Sequence, residues 1–309
     1  MHNISPIVLF TYNRPNHTEQ TIEALKKNYL ANQSDLFVFC DAPKSVNDEI
    51  LVSNVRNYVK CINGFKSVTI FEQDQNIGLA NSIISGVTSV IAQYGTVIVL
   101  EDDLVTSPFF LQYMNNALMF YRDKPRVMHI SGWNYPIDSD QLGDSFLWRS
   151  MNCWGWATWE DRWCNFKKDT PYYIDSFTTE RIQEFNLDGA YDFWAQMIDN
   201  QQQKIDTWAI FWYASIFERS GLCLNPSESY VKNIGIDGSG QNCGNNDYLS
   251  SRKQNNQLIT NFPDDIEESK LAVSLISDFH LSHKKSTWKQ LCLKFLVQIK
   301  HALSKKYDY

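Results

Sequence analysis

The strongest constraint on this fold is an alternation that runs through residues 1–122. Short β-forming runs alternate with segments of helical period, and each run ends on polar residues. Ile7 to Phe10 is the first apolar run, closed by Thr11, Tyr12, Asn13 and Arg14. A helical pattern follows Pro15 over residues 16–30, with Thr21, Ile22 and Leu25 on one face. Leu36 to Cys40 is a second strand, ending at Asp41, and 47–61 reads as helix. Val68 to Phe71 is a third, followed by the polar stretch EQDQNIG and a helix from Leu79 to Gln93. Val97 to Leu100 is a fourth, running into Glu101, Asp102 and Asp103 and then a helix over 107–122. Such alternation predicts βαβ units: an α/β fold with a Rossmann-like mixed, mainly parallel sheet flanked by helices. Ligands of these sheets bind beyond the carboxyl ends of the strands. Thr11 to Arg14, Asp41, Asn76 and the acidic triplet all fall there.

The rest of the chain is patterned differently. Residues 125–170 are aromatic and loop-rich, with Trp133, Trp148, Trp154, Trp156, Trp159 and Trp163. Helices are expected near 156–164, 179–186, 190–203 and 208–220, before the loop NIGIDGSGQNCGNNDY at 233–248. In 280–309, Trp288, Leu291, Cys292, Phe295, Leu296, Ile299, Ala302 and Leu303 recur at helical spacing. Seven Lys against one Asp give that segment a net of +6; the whole chain carries −7, which leaves −13 on the remainder. A basic amphipathic helix beside an acidic body fits an interfacial membrane helix, or a helix packed on its own domain. These changes divide the chain into 1–125, 126–262 and 263–309.

Composition excludes several classes. The negative total argues against a nucleic-acid binder. Seven dispersed Cys without CxxC or CxxH spacing argue against structural zinc, and suit a reducing compartment. No run of 18 apolar residues exists to span a bilayer. The start, MHNISPIVLFTYNRP, lacks the basic region and long apolar core of a signal peptide. The expected location is therefore the cytoplasm.

The triplet carries the chemistry. Adjacent like charges repel, so they are expected either in water or around a shared cation. Mg²⁺ and Mn²⁺ favour carboxylate oxygens and often bind through one or two of them plus substrate phosphates. Side chains alternate along an extended segment, which predicts Glu101 and Asp103 on one side and Asp102 on the other. A solvated acidic turn, or a helix N-terminus served by Asp103, is the plainer alternative.

Five segments, in order across 5–245, carry a resemblance: PIVLFTYNRPNHTEQTIEAL, NIGLANSIISGV, VIVLEDDLVTSPFFLQYMNNAL, WGWATWEDRW, and KIDTWAIFWYAS followed by NIGIDGSG. Together they resemble nucleotide-sugar glycosyltransferases of the GT-A fold. The chain looks most like bacterial surface-glycan transferases that share the EDD variant with the N-acetylglucosaminyltransferase I type. The resemblance implies an inverting, metal-dependent transfer from a nucleotide-diphosphate sugar, UDP-linked by preference, to a surface glycan such as capsule, O-antigen or a lipid-linked oligosaccharide. Mn²⁺ or Mg²⁺ would be the cofactor. The acceptor would lie at the cytoplasmic face of the inner membrane, which 280–309 would contact.

It also implies roles. Thr11, Asn13 and Arg14 would line the nucleotide site, with Arg14 near the diphosphate. Asp41 would accept a hydrogen bond from the base, unless it only caps a helix. Asn76, Gly78 and Ala80 would close over the nucleotide. Asp103 would ligate the metal, Asp102 would meet the ribose or metal waters, and Glu101 the donor sugar. Trp154, Gly155 and Trp156 would lie beside donor sugar and acceptor, though core packing is the plainer role for some of these Trp. Asp206 would be the general base, with Asp161 and Asp192 as alternatives; Asp206 could equally cap the helix before Trp208. One departure stands out: relatives carry His where this chain has Asn242, and an amide is the weaker ligand. Two other readings compete. A catalytically silent glycan- or nucleotide-binding protein could use the same fold. A nucleotidyltransferase is disfavoured because TYNRPNH lacks the glycines of a phosphate loop.

Overall fold

The computed structural model describes residues 4–238, 249 and 254–284. The chain begins with β1 (Ile7–Thr11), α1 (Pro15–Lys26), β2 (Asp35–Cys40), α2 (Glu49–Val59), β3 (Ser67–Glu72), α3 (Gly78–Tyr94) and β4 (Thr96–Glu101). It continues with β5 (Leu104–Thr106), α4 (Phe110–Phe120), β6 (Val127–Ser131), β7 (Ser145–Trp148), β8 (Trp156–Trp159) and α5 (Glu160–Trp163). Then come α6 (Thr170–Ser176), α7 (Thr179–Phe185), α8 (Trp194–Gln201), α9 (Ala209–Glu218), β9 (Leu222–Pro226) and β10 (Val231–Asn233). Residues 270–284 are helical.

Eight strands form one sheet in the order β3-β2-β1-β4-β8-β6-β9-β7. The first four are mutually parallel, as the alternation predicts. Phe10 pairs with Glu101 and Thr11 with Cys40, so the carboxyl ends of β1, β2 and β4 lie flush. The winding direction reverses between β1 and β4, and in such sheets the carboxyl ends at that switch point are where ligands bind.

Both faces of the sheet are buried at β1, β2 and β4, whose strands read as continuous apolar runs, while the edge strand β3 is largely exposed. Val8, Phe10, Val97, Val99 and Trp156 face one way, into a core shared with α3 and α9. Ile7, Leu9, Ile98, Leu100 and Ala157 face the other, toward α1 and α4. Ala272 and Ile276, from the 270–284 helix, are fully buried in the first core. Ser269 N–H donates to the Leu147 carbonyl at 2.8 Å, and Arg149 binds Glu268 through two nitrogens at 2.7 and 2.6 Å. Residues 263–284 are thus tied into the same body as 126–262.

Two expectations change. Only Glu160–Trp163 of the helix expected near 156–164 is helical: Trp156–Trp159 is a central strand, antiparallel to both β4 and β6. The three- and four-residue spacing of Trp156, Trp159 and Trp163 mimics a helical face. The strand nevertheless buries Trp156 on one side of the sheet and Ala157 on the other. The helix expected over 107–122 starts only at Phe110, because Leu104–Thr106 pairs with Val231–Asn233 in a small antiparallel ribbon. The basic helix expected over the last residues lies outside the described residues beyond Lys284. Among the described residues no helix is long and apolar enough to cross a membrane.

Candidate active site

β4 delivers the triplet to the switch point, and the extended backbone stops at Glu101. Residues 102 and 103 form a turn before β5. The expected alternation therefore fails. Asp102 and Asp103 do not point opposite ways but converge on one cation, Arg14, just beyond β1. Its Nη2 binds Asp102 Oδ1, and its Nη1 lies 2.9 Å from Asp103 Oδ2. Arg14 is placed there by Pro15, which starts α1, and by its own carbonyl, which accepts the Thr18 amide at 3.0 Å. The guanidinium thus bridges the two acids.

The balance of charge is uneven. Burial pushes the Glu101 carboxyl up to about 8, and repulsion from Asp103 and Asp102 adds to the rise, while Arg14 opposes it. Asp102 is pushed up to about 6, mostly by burial; Arg14 pulls it down and Asp103 pushes it up. Burial works against the Arg14 charge, yet the two carboxylates raise its pKa overall. One buried guanidinium cannot offset three crowded carboxyl groups.

A second chain segment roofs this cluster. The ribbon formed by β5 and β10 leads into the NIGIDG loop, whose Ile234 amide donates to the Asp103 carbonyl at 2.9 Å. Gly235 presses on the ion pair: a Cβ there would overlap Asp103 Oδ2 and come within 2.9 Å of Arg14 Nη1. Its amide is held by Asn233 Oδ1 at 2.7 Å, and His17 Nε2 meets Asp237 Oδ2 at 3.2 Å. Sequence reasoning marked this loop as a motif but missed Gly235 and His17. The invitation to look was a glycine between two apolar residues in a motif already matched. Asn242 lies outside the described residues.

Other expected nucleotide-site residues gather around the same edge in supporting roles. Asp41 accepts the amides of Ala42 (2.8 Å), Ile77 (3.0 Å) and Gly78 (2.9 Å), so it caps the start of α3. Asn76 donates to the Ala42 carbonyl at 2.7 Å. Gly78 takes φ +77°, and Ala80 is buried. Thr11 is buried and donates to Cys40 Sγ at 3.2 Å, while Asn13 binds Asp48 at 2.8 Å.

The second half divides the expected sugar residues. Trp156 is buried in the core, stacked on Trp208 at 5.1 Å and on His129 at 5.4 Å. It cannot reach a sugar, because the strand points it under α9. Gly155 is a packing residue: at φ +67°, a Cβ would come 2.8 Å from Val231 Cγ2. Trp154 is half-buried and lines a cavity of ≈ 240 Å³ with Trp133, Asn152 and His280, three residues that sequence reading did not assign to a site. No short-range spacing could have joined them.

Asp206 is exposed and paired with Lys168, in a cleft with Thr170, Asn200 and Gln203. The cleft shares no lining residue with the triplet. Trp208, two residues on, packs against Trp156, which pairs with Val99 of β4. Asp161 is bound through both oxygens to Arg162 at 2.6 Å. Asp192 caps α8, accepting the Ala195 amide at 3.1 Å.

The acids fit a hard divalent ion in kind. Asp102 Oδ2 is buried without a hydrogen-bond partner, as a vacant acceptor toward such an ion would be. Asp102 Oδ1 and Asp103 Oδ2 are already engaged by Arg14. Among the described residues no group of three or more His, Cys, Asp or Glu side chains is placed to hold a metal by itself. A bound ion would need its remaining ligands from a substrate.

No protein-family model and no curated protein matches the chain. Among solved structures it is similar to a mannosyltransferase from Pyrobaculum calidifontis in complex with GDP-Man and Mn²⁺. That match has TM-score 0.41 and 13% identity, over 70% of this chain and 69% of the other. It is also similar to TarS of S. aureus, with TM-score 0.30 and 14% identity, over 41% of this chain and 21% of TarS.

Proposed function

We propose that this chain is a metal-dependent, inverting glycosyltransferase that moves a sugar from a nucleotide-diphosphate donor to a hydroxyl of a glycan. One observation carries the reading: three carboxyl groups end β4 at the switch point of a parallel sheet, with Arg14 and the NIGIDG loop closing on them. That edge is where such sheets hold phosphorylated ligands.

A divalent ion bound there would stabilise the charge that develops on the departing diphosphate. Asp103 is its proposed protein ligand, and Asp102 faces the ribose or the metal-bound waters. Arg14 answers to both partners. A diphosphate entering the crevice competes with Asp102 and Asp103 for the guanidinium, and releases the carboxylates as it draws Arg14 away. Glu101, held partly protonated by burial, can donate to or accept from a donor-sugar hydroxyl. Thr11, Asn13, Asn76, Gly78 and Ala80 shape the nucleotide wall. Asp41 keeps α3 in place and has one acceptor position left on Oδ2 for a base. Asp206 is the proposed base; Lys168 must yield before it can take the acceptor proton. UDP is the proposed carrier, the proposed location is the cytoplasmic face of a membrane, and surface glycan is the proposed acceptor class.

The test is nucleoside-diphosphate release across UDP- and GDP-linked sugars, with EDTA and with Asp103→Asn. Release that requires Mn²⁺ or Mg²⁺ and falls at least a hundredfold in the variant is expected. Full turnover under EDTA, or in Asp103→Asn, rules the assignment out. Nucleotide binding without turnover on any sugar favours a silent binding protein.

A further inference from the structure

A cleft of ≈ 300 Å³ is lined by three arginines, Arg126, Arg149 and Arg181, together with Glu184, Glu268, Phe217 and the turn at Ser220 and Gly221. The strand register sets it far from the triplet. β4 and β6 are both antiparallel to β8, and Trp156 pairs with Val99 on one side and Ser131 on the other. Val99 and Ser131 therefore lie at one level of the sheet. Arg126 precedes Ser131 by five residues, while Glu101 follows Val99 by two. At the rise of a strand, that puts roughly 20 Å between the two ends.

A surface arginine is ordinary, but these are held in place and unequally neutralised. Arg126 Nε donates to the Ser220 carbonyl at 3.2 Å, and Nη1 to the Ile266 carbonyl at 2.9 Å. Carbonyls orient the guanidinium without cancelling its charge. The Ser220 carbonyl is set by a turn in which Ser220, a non-glycine, takes φ +51°. Strain of this kind persists where the surroundings impose it. At Gly221, next in the turn, a Cβ would come 2.5 Å from Met128 Sδ. Arg181 lies over Phe177 and Phe217, 5.2 and 5.4 Å from the ring centroids.

The acids of the cleft are spent on the third arginine. Glu268 binds Arg149 through two of its nitrogens, and Asp188 and Glu184 lie 3.5 and 4.0 Å from Arg149 Nη1. Among the described residues no carboxylate pairs with Arg126 or Arg181. Two uncompensated cations thus converge on one space in a chain whose net charge is −7. Guanidinium forks match the oxygens of a phosphate. A phosphomonoester carries close to two negative charges at neutral pH, one for each free arginine. A carboxylate or a phosphodiester carries one and leaves an arginine unanswered.

We infer that this cleft is a second anion site, separate from the donor crevice, that takes a phosphomonoester, either as a free small molecule or as the headgroup of a lipid. The inference does not depend on the transferase reading.

The test titrates the full chain by calorimetry with glycerol 3-phosphate and with dimethyl phosphate, a diester. Glycerol 3-phosphate should bind, and the diester should bind about tenfold more weakly, as loss of one charged contact implies. Arg126→Gln and Arg181→Gln should each weaken glycerol 3-phosphate binding about tenfold. Vesicles of phosphatidylcholine mixed with phosphatidic acid form the lipid arm. Binding to these that falls in both variants, with no binding of free glycerol 3-phosphate, identifies a headgroup; binding of the free ester identifies a soluble ligand. Monoester and diester bound alike, or no monoester bound in either form, overturns the inference. So does a monoester affinity unaltered in both arginine variants but raised in Asp103→Asn, which would place the ligand beside Arg14. The ester-against-diester comparison needs only the native chain, so it holds even where a variant misfolds.

Discussion

At the scale of single residues, the site is a problem of excess charge. Arg14 is the only cation in direct contact with Asp102 and Asp103 among the described residues. Arg14→Met should therefore leave two buried carboxylates unpaired and lower stability by about 3–5 kcal/mol, read by urea unfolding at pH 7. A loss below 1 kcal/mol would mean the acids are better solvated than their burial indicates. Glu101 gives the same crowding a pH signature. Its folded value, about 8, lies above the ordinary 4.5, so the folded state holds its proton longer than the unfolded state. Stability is complete below pH 4.5 and declines as pH rises toward 8. Asp102, raised from 3.8 to about 6, adds a decline in the lower part of that window. Unfolding midpoints at pH 5, 7 and 8.5 should fall in that order, and Glu101→Gln should flatten the upper part. The triplet itself was legible in the sequence, because three acids after a buried run are hard to miss. Arg14 was expected in the same site, but its pairing with the acids, and the contact of Gly235, were not legible, since both depend on the parallel pairing of β1 with β4 and the ribbon of β5 with β10.

At the scale of elements, the parallel half followed from local pattern alone. Three of its four strands are buried on both faces, the edge strand β3 being the exception, and its helices follow directly, so each element shows its own period. The other half hides its strands. β8 reads as a tryptophan-rich helix, and β6, β7 and β9 become strands through partners distant in the chain. Gly155 is the joint between the halves. It enters β8 at positive φ and lies under Val231, whose strand carries the NIGIDG loop to Asp103. Gly155→Ala should cost about 1–3 kcal/mol of overpacking in addition to left-handed strain. The displaced β10 should also carry Gly235 off the acids, so nucleotide affinity should fall along with the melting temperature. Calorimetry with UDP on the folded variant checks this. A variant that is destabilised but binds UDP normally would show that the loop is positioned independently of β8.

At the scale of the whole molecule, the charge map suggests how such a catalyst meets its acceptor. The described body ends in a helix sunk into the core at Ala272 and Ile276, so that helix is part of the fold and is not free to lie on a lipid surface. The basic charge lies mostly beyond it: Lys285, Lys289, Lys294, Lys300, Lys305 and Lys306 follow a chain that is otherwise strongly acidic. An acidic body is repelled by anionic lipid, so any attraction must come from this segment. Each Lys near an anionic leaflet contributes about 1 kcal/mol, screened within a Debye length. Replacing Lys285, Lys289, Lys294 and Lys300 by Gln in the full chain should therefore weaken binding to phosphatidylglycerol vesicles by two to three orders of magnitude at low salt, by roughly 1.4 kcal/mol per decade. The fall should shrink as salt is added, and neutral phosphatidylcholine vesicles should bind both proteins alike. Equal binding of the two proteins to anionic vesicles would remove the membrane from the account. A soluble glycan would then be the acceptor to offer, and the reading of the triplet would stand, because it rests on residues of the described body.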